Sequence, residues 1–241
     1  MKISVVVPAF NEERLLATSL RSVRAAMGAF DEVGWCSELI VCDNNSTDRT
    51  PEIARGADAK VVFEPINQIA RARNTGAAHG NGDWLVFVDA DSYPSRELFN
   101  DITEAIRNGC CLAGGSTVSI ERRHRGLTFF IDMWNVLSRI TRWAAGSCMF
   151  CDAAAFRAVG GFNQELYAAE EIDLFRRLKR LGRQQNRRIV ILHRHPLRTS
   201  DRKVHLYTPR ELLTFFAKTI ARGGRTLRSA EHCFAWYDGR R

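Results

Sequence analysis

Two carboxylates one residue apart, Asp89 and Asp91, follow directly on the apolar run Trp84-Leu85-Val86-Phe87-Val88. Hard oxygen donors this close suit Mg²⁺ or Mn²⁺, ions that keep most of their other ligands as water or phosphate oxygen. The run itself reads as a strand buried on both faces. The acids therefore sit at the strand's C-terminal end, where open α/β sheets bind their ligands. A solvated Asp-rich turn would look the same in isolation, so the weight falls on what the remaining chain brings to that place.

The elements that must position the pair are legible in order. Ile3–Val7 is a β-branched run ended by Pro8-Ala9-Phe10-Asn11-Glu12-Glu13. Asn11 is expected to cap a helix carrying Leu15, Leu16, Leu20 and Val23, with the acids in its first turn. A second strand, Glu38–Cys42, runs into Asp43-Asn44-Asn45-Ser46-Thr47-Asp48, side chains that bond their own backbone and lead into a short helix ending at Gly56. A third strand, Lys60–Phe63, precedes a helix from about Ile69 to His79, and Trp84–Val88 follows. This β-α-β-α-β-α-β order predicts parallel strands with right-handed crossovers. Strands one, two and four would then deliver Asn11 and Glu12, Asp43 and Asn45, and Asp89 and Asp91 to one sheet edge.

Composition bounds the function classes. A chain of 241 residues that is 45% apolar can build one large α/β core or two small ones. No stretch approaches the roughly 20 apolar residues of a membrane span. The opening Met1–Pro8 reads as a core strand rather than a leader. The protein is therefore expected to be cytoplasmic. Seven cysteines, an odd number, are scattered without the pattern of a secreted disulfide framework, and Cys148-Met149-Phe150-Cys151 reads as buried thiols. Residues 1–100 hold 10 basic and 14 acidic groups against 25 and 13 in residues 101–241, so the second half meets something acidic. The basic residues are not interleaved with stacking aromatics, which argues against nucleic acid. No dinucleotide or phosphate-loop glycine signature is present, which argues against NAD or ATP chemistry.

Val7-Pro8-Ala9-Phe10-Asn11-Glu12-Glu13, Asp43-Asn44-Asn45-Ser46-Thr47-Asp48, Ala72-Arg73-Asn74-Thr75-Gly76, Asp89-Ala90-Asp91-Ser92 and Gly160-Gly161-Phe162-Asn163 with Glu170-Glu171-Ile172-Asp173-Leu174 resemble, in order and spacing, the successive signatures of family 2 glycosyltransferases. The resemblance covers roughly residues 1–192. It implies a GT-A nucleotide-diphospho-sugar fold with a mostly parallel central sheet flanked by helices, a divalent metal (Mn²⁺ or Mg²⁺) and inversion at the anomeric carbon. Carried over residue by residue, Pro8, Ala9, Phe10, Asn11, Glu12 and Asp43 would contact the nucleotide. Arg73 would clamp the diphosphate, and Asp89 and Asp91 would hold the metal against it. Glu171, where relatives usually carry Asp, inherits the role of base toward the acceptor hydroxyl, with Asp173 in reserve. His193 is a candidate third metal ligand.

The expected organisation is a single domain over 1–222, with a nucleotide-sugar-binding half (1–92) and an acceptor half (93–222), then a basic tail (223–241). The segment Gly126–Ala145 is too apolar all round for a simple surface helix. Core packing, a dimer contact and the surface of an anionic membrane each account for it. A basic run, Arg176–Arg188 with Arg194, Arg198, Arg202 and Lys203, suits the last of these and a lipid-linked acceptor. Thr208–Arg222 reads as an amphipathic helix closed by Gly223-Gly224. A sugar nucleotidyltransferase is disfavoured, since no glycine-rich, Arg/Lys-bearing triphosphate loop follows the first strand. A non-catalytic nucleotide-sugar-binding module at a membrane is the other alternative. Donor base, sugar and acceptor are not written in these motifs.

Overall fold

In the computed structural model, residues 1–120, 125–144, 146–200, 225–229 and 233 are described. Strands β1 (Lys2–Ala9), β2 (Cys36–Asp43), β3 (Lys60–Phe63) and β4 (Trp84–Val88) alternate with helices α1 (Leu16–Asp31), α2 (Thr50–Gly56) and α3 (Ile69–Ala78). There follow β5 (Ser92–Tyr93), α4 (Arg96–Arg107), β6 (Cys111–Ile120), α5 (Arg125–Thr141), β7 (Cys148–Asp152), α6 (Ala153–Ala158), α7 (Glu170–Gln184) and β8 (Arg188–Thr199). The expected helix Thr208–Arg222, its Gly223-Gly224 cap, and Arg202 and Lys203 lie outside the described residues. Within the expected tail, Arg225–Arg228 forms a 3₁₀ turn, and the Tyr167 N–H donates to the Leu227 carbonyl.

One sheet runs in the order β3-β2-β1-β4-β7-β6-β8-β5. The four strands legible as a parallel set are parallel: β1 pairs with β2 and β4, and β2 with β3. Beyond β4 the sheet becomes mixed. Strand β7 is antiparallel to both β4 and β6, β5 is antiparallel to β8, and β6 and β8 are again parallel. Mixing enters with β7, because α5 returns the chain so that Cys148 pairs with Val88 and Asp152 with Trp84. Cys148 and Cys151 on that strand are buried free thiols.

Alternate residues of the central strands feed two cores, as the two-residue side-chain period of a strand requires. Val5, Val7, Val86 and Val88 pack with Leu20, Val23, Met27 and Phe30 of α1 and Leu98, Phe99 and Ile102 of α4. Val6, Leu85 and Phe87 face the other way, onto Ala70 and Ala77 of α3, Phe156 of α6 and Leu174, Phe175 and Leu178 of α7. Helix α1 begins at Leu16 and not at Asn11, which lies in the left-handed region at φ 52°. The expected cap is thus overturned: Asn11 belongs to a loop, and a loop needs that conformation.

Gly76 sets how closely α3 can approach β1, since a Cβ there would lie 2.4 Å from Val6 Cγ1, a fully buried side chain. Gly76→Ala is expected to cost about 1–3 kcal/mol, lowering Tm by roughly 2–4 °C for each kcal/mol. Gly56→Ala, where a Cβ meets open space, is expected to leave Tm unchanged or slightly raised. Thermal unfolding of the two variants checks the contrast.

Candidate active site

The parallel arrangement places the C-terminal ends of β1, β2 and β4 at one edge, and hydrogen bonds join the loops that leave them. The Asn11 N–H donates to Ser46 Oγ at 3.0 Å, and Asn11 Oδ1 accepts from the Thr47 N–H at 2.8 Å. The Glu12 N–H donates to Thr50 Oγ1, the Glu13 N–H to Asp48, and Glu13 accepts from the Arg49 N–H. The left-handed Asn11 and Asn45 let both loops turn back at this seam. Pro8, Ala9, Phe10 and Glu12 lie along its near side, with Glu12 buried. Asp43 is buried at the end of β2, where Oδ1 accepts from the Ser46 N–H, three residues on, at 3.1 Å. Among the described residues its other oxygen has no hydrogen-bond partner.

Asp89 and Asp91 follow β4 on the same edge. Asp91 is 6% exposed. Its Oδ2 accepts from Ser200 Oγ at 3.1 Å and its carbonyl accepts from the Ser200 N–H, so the end of β8 fixes it. Asp89 is partly exposed and reaches the other way, to Arg73.

Arg73 is the largest fully buried side chain of the molecule's described part, at 1% exposure. One guanidinium nitrogen, Nη1, donates to Glu170 Oε1 at 2.6 Å. The other, Nη2, donates to Asp89 Oδ1 and to the Gly146 carbonyl, each at 2.9 Å. The Phe162 ring lies 5.3 Å from its Cζ, a cation–π distance. Burial works against its charge, but Asp89, Glu170 and Glu171 outweigh burial and hold its pKa above the ordinary value. The expected clamp on a diphosphate is therefore corrected: the guanidinium is committed inside the protein, where it ties the β4 carboxylate to the start of α7.

Helix α7 opens on Ala169, which adopts a left-handed φ of 61° without being glycine, a conformation that must be held by its surroundings. Glu170 is 4% exposed and taken up by Arg73. Glu171 is half-buried beside it. Burial, and after it the Glu170 charge, pushes the Glu171 carboxyl up to about 8 against the pull of Arg73. Asp173 instead pairs with Arg177 one turn on, at 2.7 Å, which assigns it a local role on the helix surface.

His193 does not join the acids. Strand β8 continues past His193 to Thr199, and it is Thr199 that pairs with Ser92. Leu192 lies opposite Ser116 and Thr199 opposite Ile120 on β6, so His193 stands on the order of 13 Å away along the sheet. Its side chain is exposed against α4, where the neighbouring His195 Nδ1 lies 3.0 Å from Asp101 Oδ2. Among the described residues no group of three His, Cys, Asp or Glu side chains could hold a metal ion.

Sequence reasoning passed over the residues that close the site from behind. Asn74 accepts from the Phe162 N–H and donates to its carbonyl, while Gln68 donates to the Gln164 and Leu166 carbonyls. Gly161, at φ 65°, brings its backbone against Asn74. The signal was present in the pairing of Ala72–Gly76 with Gly160–Asn163, two of the matched motifs, which turn out to be in contact.

Residues 4–158 match the family described as glycosyl transferase family 2. The chain belongs to that family. Over 222 residues it is 28% identical to the pre-mycofactocin glycosyltransferase of Mycobacterium tuberculosis, covering 83% of this chain and 44% of that protein. The mannosyltransferase PcManGT of Pyrobaculum calidifontis, solved with GDP-Man and Mn²⁺, has the same fold at a TM-score of 0.68 and 19% identity, over 95% of this chain and 62% of that one. The S. aureus TarS fragment solved with UDP-GlcNAc matches at a TM-score of 0.64 and 22% identity, over 83% and 58% of the two chains. The fold is thus GT-A, and the chain spans less than half the length of the curated relatives it matches.

Arg73→Met would leave Asp89 and Glu170 without their buried cation, at an expected cost of about 3–5 kcal/mol near neutral pH. Urea unfolding of the variant and the parent at neutral pH checks the size of the loss.

Proposed function

We propose that this family 2 chain transfers a sugar from a nucleoside-diphospho-sugar to an acceptor hydroxyl with inversion, assisted by a divalent cation at Asp91 and Asp89. The observation that carries this reading is the edge where β1, β2 and β4 end together, joined through Arg73 to the acid pair that opens α7. Solved proteins of the same fold bind GDP-Man with Mn²⁺ and UDP-GlcNAc, which supports a nucleotide-sugar donor.

The donor set suits Mg²⁺ or Mn²⁺. Two carboxylates with no third ligating side chain among the described residues fit an ion that completes its shell with phosphate and water, and do not fit a closed structural zinc site. Once bound, the cation would supply charge to stabilise the leaving diphosphate.

The chain's own groups do the rest. The turn Pro8-Ala9-Phe10-Asn11-Glu12, held by its bonds to the β2 loop, would line the nucleoside, and Asp43 offers its second carboxylate oxygen to the base edge. Arg73 fixes Asp89 in orientation while sharing the same guanidinium with Glu170. With Glu170 committed to the Arg73 guanidinium, Glu171 beside it is the carboxyl left to take the acceptor proton. The anomeric carbon would lie between the cation-bound diphosphate and Glu171, so that the acceptor attacks from the face opposite the leaving group. A lipid-linked acceptor belongs to this reading, supported by the basic second half of the chain.

Asp91→Ala is expected to abolish Mn²⁺-stimulated release of nucleoside diphosphate across a panel of UDP- and GDP-sugars. Equal turnover by variant and parent would sink the assignment. Glu171→Gln is expected to lower kcat by about 10²–10⁴-fold while donor affinity by calorimetry stays within a few-fold.

The ionised form of Glu171 is the competent base, and its carboxyl is held up to about 8. For the parent, kcat/KM should therefore rise about tenfold per pH unit below that value and level off above it. Glu171→Gln should flatten this limb. A parent profile already flat from pH 5 to pH 8 would point to another base.

A further inference from the structure

Helix α5 carries four of the seven exposed large hydrophobic side chains among the described residues. Met133, Val136, Leu137 and Ile140 are 54%, 55%, 42% and 76% exposed, and their spacing puts them in one stripe along the helix. The opposite side is anchored: Asn135 accepts from the Val118 N–H and donates to its carbonyl, and Ser138 donates to the Trp143 carbonyl. The stripe is therefore held outward by the fold and is not a helix awaiting rotation into the core.

A cation cluster adjoins its C-terminal end. Lys179 of α7 donates to the Thr141 carbonyl, and Arg142 and Arg183 are exposed. Burial, and then the charges of Arg142 and Arg183, hold the Lys179 pKa below its usual value, so the three cations are near enough to repel one another. On the described part of α5 the acids are limited to Asp132. Crowded cations beside an open apolar stripe favour a partner that is apolar and anionic together. A second copy of a chain with net charge +8 would bring the same cations to the contact.

We propose that this face seats α5 in the headgroup layer of an anionic phospholipid bilayer, with Met133, Val136, Leu137 and Ile140 among the acyl chains and Arg142, Lys179 and Arg183 at the phosphates. The helix's C-terminal end is followed within five residues by Gly146, whose carbonyl holds Arg73. The inference does not depend on the transferase reading, because binding is measured without donor or metal.

The test is vesicle flotation of the full chain with phosphatidylcholine alone and with an equal mixture of phosphatidylglycerol and phosphatidylcholine. The parent should float with the mixed vesicles, more weakly as salt is raised, and stay behind with phosphatidylcholine alone. Val136→Ser with Ile140→Ser, and separately Arg142→Gln with Arg183→Gln, should each weaken partitioning by about 10- to 30-fold without lowering Tm. The proposal is overturned if the parent floats with neither vesicle, or if both variants float as the parent does. It is equally overturned if the serine variant dissociates a dimer seen by light scattering, which assigns the face to a second copy. A lower Tm for that variant would assign the face to another segment of its own chain and would overturn it as well.

Discussion

The arrangement depends on one buried cation. Arg73 is enclosed by protein, and a guanidinium taken out of water is costly unless acids and carbonyls surround it. Here those partners come from three separate parts of the chain: Asp89 after β4, Gly146 before β7, and Glu170 at the start of α7. Satisfying one charge thus fixes the relative positions of the strand end that carries the metal-type acids and the helix that carries the base-type acid. The same constraint separates the roles of two adjacent glutamates. Glu170 faces the cation, while burial, and after it the Glu170 charge, leaves Glu171 inclined to hold a proton, the pattern that tunes a carboxyl toward general-base work near neutral pH.

Around this centre the fold works by paired loops. The β1 and β2 loops are bonded to each other through Asn11, Ser46, Thr47 and Thr50, and α3 is bonded to the 162–166 segment through Asn74 and Gln68. A rim built from backbone donors and short polar side chains is stiff without being apolar. It suits a ligand whose recognisable parts are a base, a ribose and charged phosphates. Gly76 and Gly161 permit the close approach of α3 on its two sides, to Val6 and to Phe162.

Much of this was legible in the residues. The β-branched and apolar runs placed β1 to β4 to within two residues at each end, because runs buried on both faces, as in β1 and β4, leave little else for them to be. Parallel topology then forced the three polar clusters onto one edge before any contact was known. What sequence did not disclose was long-range. Asn11 has the composition of a helix cap but spends its side chain on Thr47, some thirty-six positions on, and nothing local announces that. His193 lies inside β8, whose continuation to Thr199 holds the histidine away from Asp91 and brings Ser200 in, and nothing local marks where that strand stops. Arg73 stands out in its motif, yet its partners lie 16 and 97 residues away, so a clamp on ligand and an internal organiser could not be told apart. The antiparallel β7 escaped for a similar reason: Cys148-Met149-Phe150-Cys151 is apolar in either direction.

The central claim is that the edge carrying Asp89 and Asp91 is a cation-dependent site for the diphosphate of a nucleotide-sugar. Calorimetric titration of the full chain with UDP and with GDP, in Mn²⁺ and again in excess chelator, tests it most directly. The account predicts saturable binding of at least one of them in Mn²⁺ that disappears in chelator. Binding of equal strength in both conditions, or binding of neither nucleotide in Mn²⁺, would contradict it.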